Sequence, residues 1–338
     1  MIIAEDWLKI PEDKRRKLNE ANVYYTEQYS HFEKLRGHSC IYAYDERGII
    51  TVVIWHKLVF KWGSFPSEPF YFQPDIDEQK FLDDVLSRLT KYCSWISKTE
   101  EGANFKAFPS KSLRIPFGNY IIDLTNDEET LFSNVTSKCR NMIRKAKKDG
   151  VEIICGGEEY LEDYLKVDSD TWERSGLKID FKAIYQNYLH AFGDKARIFL
   201  AIKDGVTQGG AFFVYNQAMS YYLYGASIKR PSPGSMNLLQ WEAMIEFKKQ
   251  GVKTHSFVGC RINEDKDSKY HNIQKFKSSF GGELVQGYMF KSIFNPTAYK
   301  LFCFCLKIRH PKSPIQGDTI DQEIHKWHDL NNNISSDK

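Results

Sequence analysis

Residues 138–148 read Lys-Cys-Arg-Asn-Met-Ile-Arg-Lys-Ala-Lys-Lys, and Asp149, Gly150 and Val151 follow. At 100° per residue the apolar side chains fall on one face of a helix, and six basic side chains cover the remainder. Gly150 is typical of the residue that ends a helix, and Val151 begins a strand pattern. This stretch predicts a helix with a core face and a cationic face, at the junction of two domains.

The segments around this helix alternate between strand and helix patterns. Upstream, Asn119 to Leu124 reads as a strand, and Thr125 to Glu129 supplies the cap and first-turn acids of one helix running to Gly150. Downstream, the order is β-α-α-β-β-β-α-β-α-β, which predicts an α/β fold with mixed sheets flanked by helices. The clearest strand patterns are Ser39 to Tyr44 and Ala196 to Lys203.

The composition predicts an ordinary globular protein. The chain has 338 residues, 42% of them hydrophobic, and 47 Lys and Arg against 44 Asp and Glu leave a net charge of +3. This length suits about two domains and excludes a disordered or disulfide-scaffold class. Seven cysteines without a Cys-x-x-Cys pair predict reduced thiols and no metal site.

The sequence lacks the motifs of several common classes. It has no Gly-x-Gly-x-x-Gly, no Walker-type Gly-Lys-Ser/Thr and no Gly-x-Ser-x-Gly, which argues against dehydrogenases, P-loop NTPases and the usual hydrolases. No apolar run reaches the roughly 20 residues of a membrane-spanning helix. The N-terminus carries acids where a signal peptide requires basic residues, so we expect a cytoplasmic protein.

Three segments, in order, carry a family resemblance. The first is Ile122-Asp123-Leu124 with residues 139–151, which is similar to an "idL…R..IrkAkk.Gv" pattern. The second comprises Tyr224 to Ser227, Ser232 to Gly234 and Leu238 to Glu242. The third is Lys275 to Gly282, Lys-Phe-Lys-Ser-Ser-Phe-Gly-Gly, which is similar to an "FK..FGg" element. Together they resemble the FemAB-like aminoacyl and acyl transferases of peptidoglycan bridges and envelope polysaccharides, which have two GNAT-like (acyl-CoA N-acyltransferase-like) domains in tandem.

The resemblance implies a domain division and an activity. Residues 1–150 would form the first GNAT-like domain and residues 151–294 the second. A helix at 296–310 would pack back on the first domain, and residues 311–338 would form a polar tail. The activity implied is acyl transfer to an amine or hydroxyl acceptor. The space between Asp168 and Ala196 is too short for the long helical arm of some members, so the chain resembles a compact branch.

The third segment supplies the predicted catalytic residues. The resemblance places Lys277 near the reaction centre, where a cation stabilises the oxyanion that develops during acyl transfer. Phe276 and Phe280 flank it with apolar bulk. The strand before this segment usually carries an acid near its end, but residues 255–259 read His-Ser-Phe-Val-Gly. A solvent-exposed helix lysine is the alternative reading of Lys277.

The second segment contains a loop that suits a phosphate. Residues 227–235 connect a strand to a helix, whose first N–H groups favour an anion; a Pro-rich turn with a helix cap is equally compatible. Arg174 would clamp an acidic or phosphorylated acceptor, or pair with Glu173 or Asp180. The predicted substrate-binding and phosphate-binding residues are Arg174, Lys229, Arg230, Gly234, Ser235, Tyr224 and Glu242.

The cationic face predicts a polyanionic partner, either tRNA or anionic lipid at the inner face of the membrane. A solvated face is the alternative. The predicted contacts are Lys138, Arg140, Arg144, Lys145 and Lys148. Residues 298–309 form a second amphipathic segment, apolar in the middle and basic at its ends; about 12 residues are enough to lie on a bilayer, although packing against the first domain is the preferred reading.

Two co-substrates and two classes of protein remain open. The first choice is aminoacyl-tRNA, with amide formation on a nucleotide-linked or lipid-linked cell-envelope precursor. The alternative is acetyl-CoA or another acyl-CoA, with N- or O-acyl transfer to a nucleotide-linked or lipid-linked sugar. A non-catalytic binding protein on the same fold is the third possibility.

Overall fold

The computed structural model describes residues 1–19, 21–100, 102–174, 181–262, 268–309 and 318–324. The strands are β1 (Ile2–Ala4), β2 (Ser39–Tyr44), β3 (Gly48–Lys57), β4 (Phe60–Ser64), β5 (Phe70–Tyr71), β6 (Trp95–Ile96), β7 (Leu113–Asp123), β8 (Glu152–Gly156), β9 (Ala196–Lys203), β10 (Val206–Tyr215), β11 (Met219–Ser227), β12 (Thr254–Arg261) and β13 (Glu283–Ile293). The helices are α1 (Glu12–Asn19), α2 (Glu27–Leu35), α3 (Glu78–Leu89), α4 (Glu128–Asn134), α5 (Ser137–Lys148), α6 (Leu161–Arg174), α7 (Lys182–Phe192), α8 (Ser235–Lys249), α9 (Lys269–Ser278) and α10 (Pro296–Arg309).

Unit 1 comprises residues 1–12, 37–118 and 286–338. Its strands follow the order β1-β2-β3-β4-β6-β13, and β5 pairs with β3. Strands β1 to β4 pair antiparallel, with Ser39 of β2 opposite Ile54 of β3. The β-branched run of β3 is buried along its first seven residues, and it lies in one core with Phe81, Val85 and Leu89 of α3.

Unit 2 comprises residues 13–36 and 119–285. Strands β8, β9, β10 and β11 pair antiparallel in that order, and β12 pairs parallel to β11 over Met219 to Tyr221. Helix α8 is buried along most of its length against this sheet. Its core includes Leu239, Met244, Phe247, Phe199 and Phe213. The predicted fold class, α/β with mixed sheets, is confirmed in both units.

The chain between β7 and β8 forms two helices. The prediction of one continuous helix ending at Gly150 is wrong, because Val135 has an extended conformation (φ −62°, ψ 135°) between α4 and α5. Thr136 then begins α5 as its N-cap, its hydroxyl accepting the N–H of Cys139. Its own N–H donates to the carbonyl of Ser279 at 2.9 Å. The break fixes α4 and α5 beside the end of α9.

The packing groups residues 119–150 with unit 2, whereas the sequence analysis placed a boundary at residue 150. The reason is the apolar stripe of α5, where Cys139, Ile143 and Ala146 are buried in the core of unit 2. Helices α1 and α2 contribute residues 13–36 to the same unit, and Phe32 stacks on Tyr188 of α7 at 3.8 Å.

Two expectations from the sequence concern the cysteines and membrane-spanning helices. All seven cysteines lie in the described residues, and each is a free thiol. Within the ranges that the structure describes, no helix combines the length and the apolar character needed to cross a bilayer.

Candidate functional site

Lys277 lies near the end of α9 with only 7% of its surface exposed. The helix begins at Ser268, whose hydroxyl accepts the N–H of His271 at 3.0 Å. The ammonium of Lys277 donates to the carbonyl of Gly259 at 2.7 Å and approaches that of Val258 at 3.4 Å. Lys277 is therefore a buried, hydrogen-bonded cation rather than a solvent-exposed helix lysine.

A bend in β12 aims these two carbonyls at the ammonium. Val258 has φ of +50°, a left-handed conformation that a β-branched residue adopts only under constraint from its surroundings. Its N–H donates to the hydroxyl of Ser256 at 3.1 Å, which supports the bend. The strain thus coincides with the acceptors of Lys277.

Cys260, beside Lys277, and Tyr120, beside Cys260, carry no motif signal and were missed in the sequence analysis. Burial raises the pKa of the Cys260 thiol to about 11, against the opposing effect of the Lys277 charge, so the thiol stays protonated at neutral pH. Burial likewise raises the pKa of Tyr120, which lies near Cys260. Cys260 directly follows Gly259 in β12, and this adjacency was the available signal.

Aromatic rings line the other side of α9. Phe276 is half-buried and makes an edge contact with Phe280 at 5.2 Å, and Phe280 stacks on Phe257 at the same distance. The rings of Phe276, Phe280 and Phe257 thus form one aromatic cluster at the end of α9. That this cluster flanks the ammonium of Lys277 stays a prediction.

His255, at the position where the resemblance leads one to expect an acid nearby, is a core residue. It has no exposed surface, and its Nδ1 lies 2.9 Å from the hydroxyl of Ser220. Its ring contacts Phe257 edge-on at 4.8 Å. Burial lowers the pKa of His255 to about 3, so the ring is neutral at physiological pH.

The predicted phosphate loop is packed where it meets α8. Gly234 has φ of +85°, and a Cβ there would lie 2.2 Å from the carbonyl oxygen of Met142 on α5. Ser235 is 1% exposed and donates to the carbonyl of Ser232 at 2.7 Å. These positions favour the reading as a turn and helix cap. Lys229 and Arg230 are exposed on the same loop.

Arg174 joins the end of α6 to the end of β11. Its guanidinium donates to the carbonyl of Ser227 at 2.7 Å and pairs with Asp170. The carboxylate partner is thus Asp170 rather than Glu173; Asp180, the other expected partner, lies outside the described residues. Within the described residues Arg174 and Lys277 belong to separate hydrogen-bonded clusters.

Tyr224 lies in a cluster of aromatic and charged side chains that the sequence analysis missed. Its ring contacts Tyr185 edge-on at 5.2 Å, and Arg36 is close enough for the two to interact electrostatically. Arg36 pairs with Glu33 of α2 at 2.9 Å, and Glu33 is 2% exposed. The Thr26 cap and the helical spacing that follows it were the available signal for α2.

The cationic face of α5 divides into residues used within the protein and residues open to solvent. Arg140 donates to the carbonyls of Ser133 (2.6 Å) and Val135, so it caps the end of α4. Lys145 pairs with Asp149 at 2.8 Å. The remaining predicted contacts, Lys138, Arg144 and Lys148, are exposed, and the guanidinium of Arg144 also lies 5.3 Å from the centre of the Phe132 ring.

Glu242 of α8 forms an ion pair with α5. Its carboxylate pairs with Lys147 at 2.7 Å, and both residues line a pocket of about 240 Å³ beside β8. The pocket wall is about half polar, with Glu246 and Lys249 as well as Ile153 and Phe199 among its residues. Glu242 therefore lies against the cationic face of α5, where Lys147 is its ion-pair partner.

Sequence comparison finds one family over part of the chain. The model of the FemAB family matches residues 71–208. The lipid II:glycine glycyltransferase of Staphylococcus haemolyticus is 30% identical over 124 residues, which is 36% of this chain and 30% of that protein. The enzyme of the same name from Staphylococcus aureus is 31% identical over 100 residues, or 29% and 24% of the two chains. The matches thus span less than a third of these relatives.

A solved structure shares the fold over most of the chain. The crystal structure of FemX superposes with a TM-score of 0.66, covering 89% of this chain and 99% of that one at 16% sequence identity. At this identity the likeness shows the fold alone. Between Asp168 and Ala196 the described residues hold the end of α6 and the 11-residue α7.

Proposed function

We propose, from the match of residues 71–208 to the FemAB family model, that the chain is a transferase that forms an amide between an aminoacyl group and an amine of a lipid-linked cell-envelope precursor. The relatives are named for glycine transfer to lipid II, which makes a lipid-linked peptide amine the acceptor class of choice. The proposed donor is aminoacyl-tRNA.

The observation that carries this proposal is the position of Lys277. It is a buried ammonium held by the carbonyls of Gly259 and Val258, in a segment that resembles an element near the family's reaction centre and lies outside the matched residues 71–208. Carbonyl oxygens orient an ammonium while leaving it charged, which is the arrangement needed to meet developing negative charge. The strained Val258 is what aims those carbonyls.

The proposed reaction follows from that geometry. The acceptor amine attacks the carbonyl carbon of the aminoacyl ester, and Lys277 stabilises the oxyanion electrostatically. The intermediate collapses to an amide and releases the tRNA 3′ oxygen as a hydroxyl, while the amine nitrogen loses a proton. A neutral amine can enter without a general base. Cys260 stays protonated and is not assigned a nucleophilic role.

We assign the polyanion contact to the exposed part of the α5 face. Lys138, Arg144 and Lys148 are exposed there, with Arg144 also lying over the ring of Phe132, whereas Arg140 and Lys145 are engaged by carbonyls and a carboxylate of the protein itself. A tRNA backbone would meet these cations through counterion release, so binding would weaken steeply with salt.

The acyl-CoA alternative receives less support from the geometry. Gly234 and Ser235, two of its proposed phosphate contacts, are packed against α5 and within the turn, whereas the other two on this loop, Lys229 and Arg230, are exposed. A non-catalytic binding protein, the third possibility, would show no turnover with any donor.

The donor is tested by binding of the full chain to a mixed aminoacyl-tRNA pool at two salt concentrations, with acetyl-CoA as competitor. We expect salt-sensitive binding that acetyl-CoA does not reduce. The double variant Arg144→Glu, Lys148→Glu should lower the salt slope by about two, and Lys166→Glu, an exposed change on α6, should leave it unchanged. Binding of acetyl-CoA without tRNA would favour the acyl-CoA enzyme.

A further inference from the structure

Among the described residues of unit 1, α10 makes its aromatic contacts through one side of the helix. The ring of Phe302 lies 5.3 Å from that of Phe60, 5.2 Å from Trp62 and 5.1 Å from Trp95. Tyr299, on the same side of the helix, makes an edge contact with Trp95 at 5.5 Å. These aromatic contacts fix the orientation of the helix on the unit.

The opposite side of α10 is apolar and faces solvent. Leu301, Phe304 and Ile308 are 50%, 60% and 64% exposed, and Cys305 is exposed between them. Their spacing of three and four residues places them in one stripe. A helix on the surface of a water-soluble unit ordinarily turns polar residues outward, so this stripe is suited to an apolar environment.

Cations border the stripe on both sides. At 100° per residue Lys300 and Lys307 lie along one edge and Arg309 along the other, all three exposed, and α10 contains no acid. Lysines at the edge of an apolar stripe suit the headgroup level of an anionic bilayer, where their stems lie along the apolar surface. Protein interfaces, by contrast, are depleted of lysine.

The turn between β3 and β4, next to α10, also combines exposed apolar side chains with lysines. Leu58 and Val59 are 82% and 85% exposed, and the exposed Lys57 and Lys61 flank the turn. Leu58 has φ of +55°, a turn position where Gly or Asn is usual. Val59 directly precedes Phe60, whose ring contacts Phe302 of α10.

We propose that the outer stripe of α10 and the Leu58–Val59 turn form a docking surface for a bilayer that contains anionic lipids. The lysines that border the stripe are complementary in charge to acidic lipid headgroups, and this favours an anionic bilayer as the partner. The segments 310–317 and 325–338 are mainly polar in sequence, which does not suit them to cover the stripe. The inference extends the proposed function, since a lipid-linked acceptor lies at such a surface.

The proposal is tested by sedimentation of the full chain with vesicles of phosphatidylglycerol and phosphatidylcholine. We expect the full chain to bind these vesicles and to bind them more weakly as the salt concentration rises. Binding to vesicles of phosphatidylcholine alone should also be weaker. The variant Phe304→Glu, Ile308→Glu should bind about tenfold or more weakly. Ile273→Glu, an exposed apolar position on α9 of unit 2, is the matched control and should bind like the parent.

Two outcomes overturn the proposal. One is the absence of vesicle binding by the parent, or equal binding by the Phe304→Glu, Ile308→Glu variant. The other is a parent that sediments as a dimer and becomes a monomer in that variant, because the stripe would then join two copies of the chain. Neither readout requires turnover. If the chain is not a transferase, vesicle binding should still be observed. If only the docking proposal is wrong, transfer to a detergent-solubilised acceptor should persist.

Discussion

The ammonium of Lys277 lies 2.7 Å from the carbonyl oxygen of Gly259, next to Val258 in a left-handed conformation. Strain of this kind costs about 1–3 kcal/mol and persists where the surrounding structure imposes it. Ordinary strand geometry would alternate these carbonyls between opposite sides of β12. The bend brings both to one ammonium, which links the backbone of β12 to the proposed chemistry.

The packing of α5 on α8 predicts unequal effects of two glycine substitutions. Gly234→Ala combines a positive φ with a Cβ 2.2 Å from Met142 O, whereas Gly150 has φ of +76° and open space around its Cβ position. We expect Gly150→Ala to lower the free energy of unfolding by about 1–2 kcal/mol and Gly234→Ala by about 3 kcal/mol or more. Urea unfolding measures both. Equal losses would mean that the close approach is absent.

The cap that Arg140 provides predicts a difference within the cationic face. Arg140→Ala leaves carbonyls at the end of α4 without their charged donor, and should lower the free energy of unfolding by about 1.5–3 kcal/mol. The exposed Lys138 on the same helix is the control, and Lys138→Ala should stay within about 0.5 kcal/mol. Thermal or urea unfolding of the two variants decides between this assignment and a purely surface role for Arg140.

The neutral, buried His255 predicts a pH dependence of stability. Its pKa is about 3 in the folded chain against 6.5 for an ordinary histidine, so the unfolded chain binds a proton that the folded chain rejects. Stability from this group is complete above pH 6.5 and is lost as pH falls, by up to about 1.4 kcal/mol per pH unit.

The substitution His255→Gln should remove this component. Urea unfolding between pH 7.5 and 5 should then show a shallower fall in stability for the variant than for the parent. Parallel curves would show that His255 takes up its proton without unfolding. The comparison concerns slopes, so a constant loss from altered packing does not affect it.

Local patterns predicted most elements because they depend on neighbouring residues. The strands Ser39–Tyr44 and Ala196–Lys203 have the bounds that their β-branched and aromatic runs predicted. The break at Val135 could not be predicted from pattern, because Thr136 is held by the carbonyl of Ser279, far along the chain. The grouping of residues 13–36 with unit 2 depends on a similarly distant contact, Phe32 on Tyr188.

The candidate site, like the fold, could be predicted from local patterns only in part. A short motif located Lys277, but its acceptors in β12 depend on the fold. The residues of the phosphate loop and the cationic face were judged by charge and turn chemistry, which do not reveal that Gly234 meets Met142 or that Arg140 caps α4. The same residue types stabilise the fold at some positions and bind ligands at others, so residue type alone does not separate the two roles.

The most direct test of the central claim is the transfer of a labelled aminoacyl group from a charged tRNA pool to detergent-solubilised lipid II. Lys277→Met should lower turnover by about 100-fold or more, while Lys275→Met, an exposed change on the same helix, should retain it. The folded state of both variants is checked by thermal unfolding. Full turnover by Lys277→Met, or no transfer by the parent from any donor, would contradict the account.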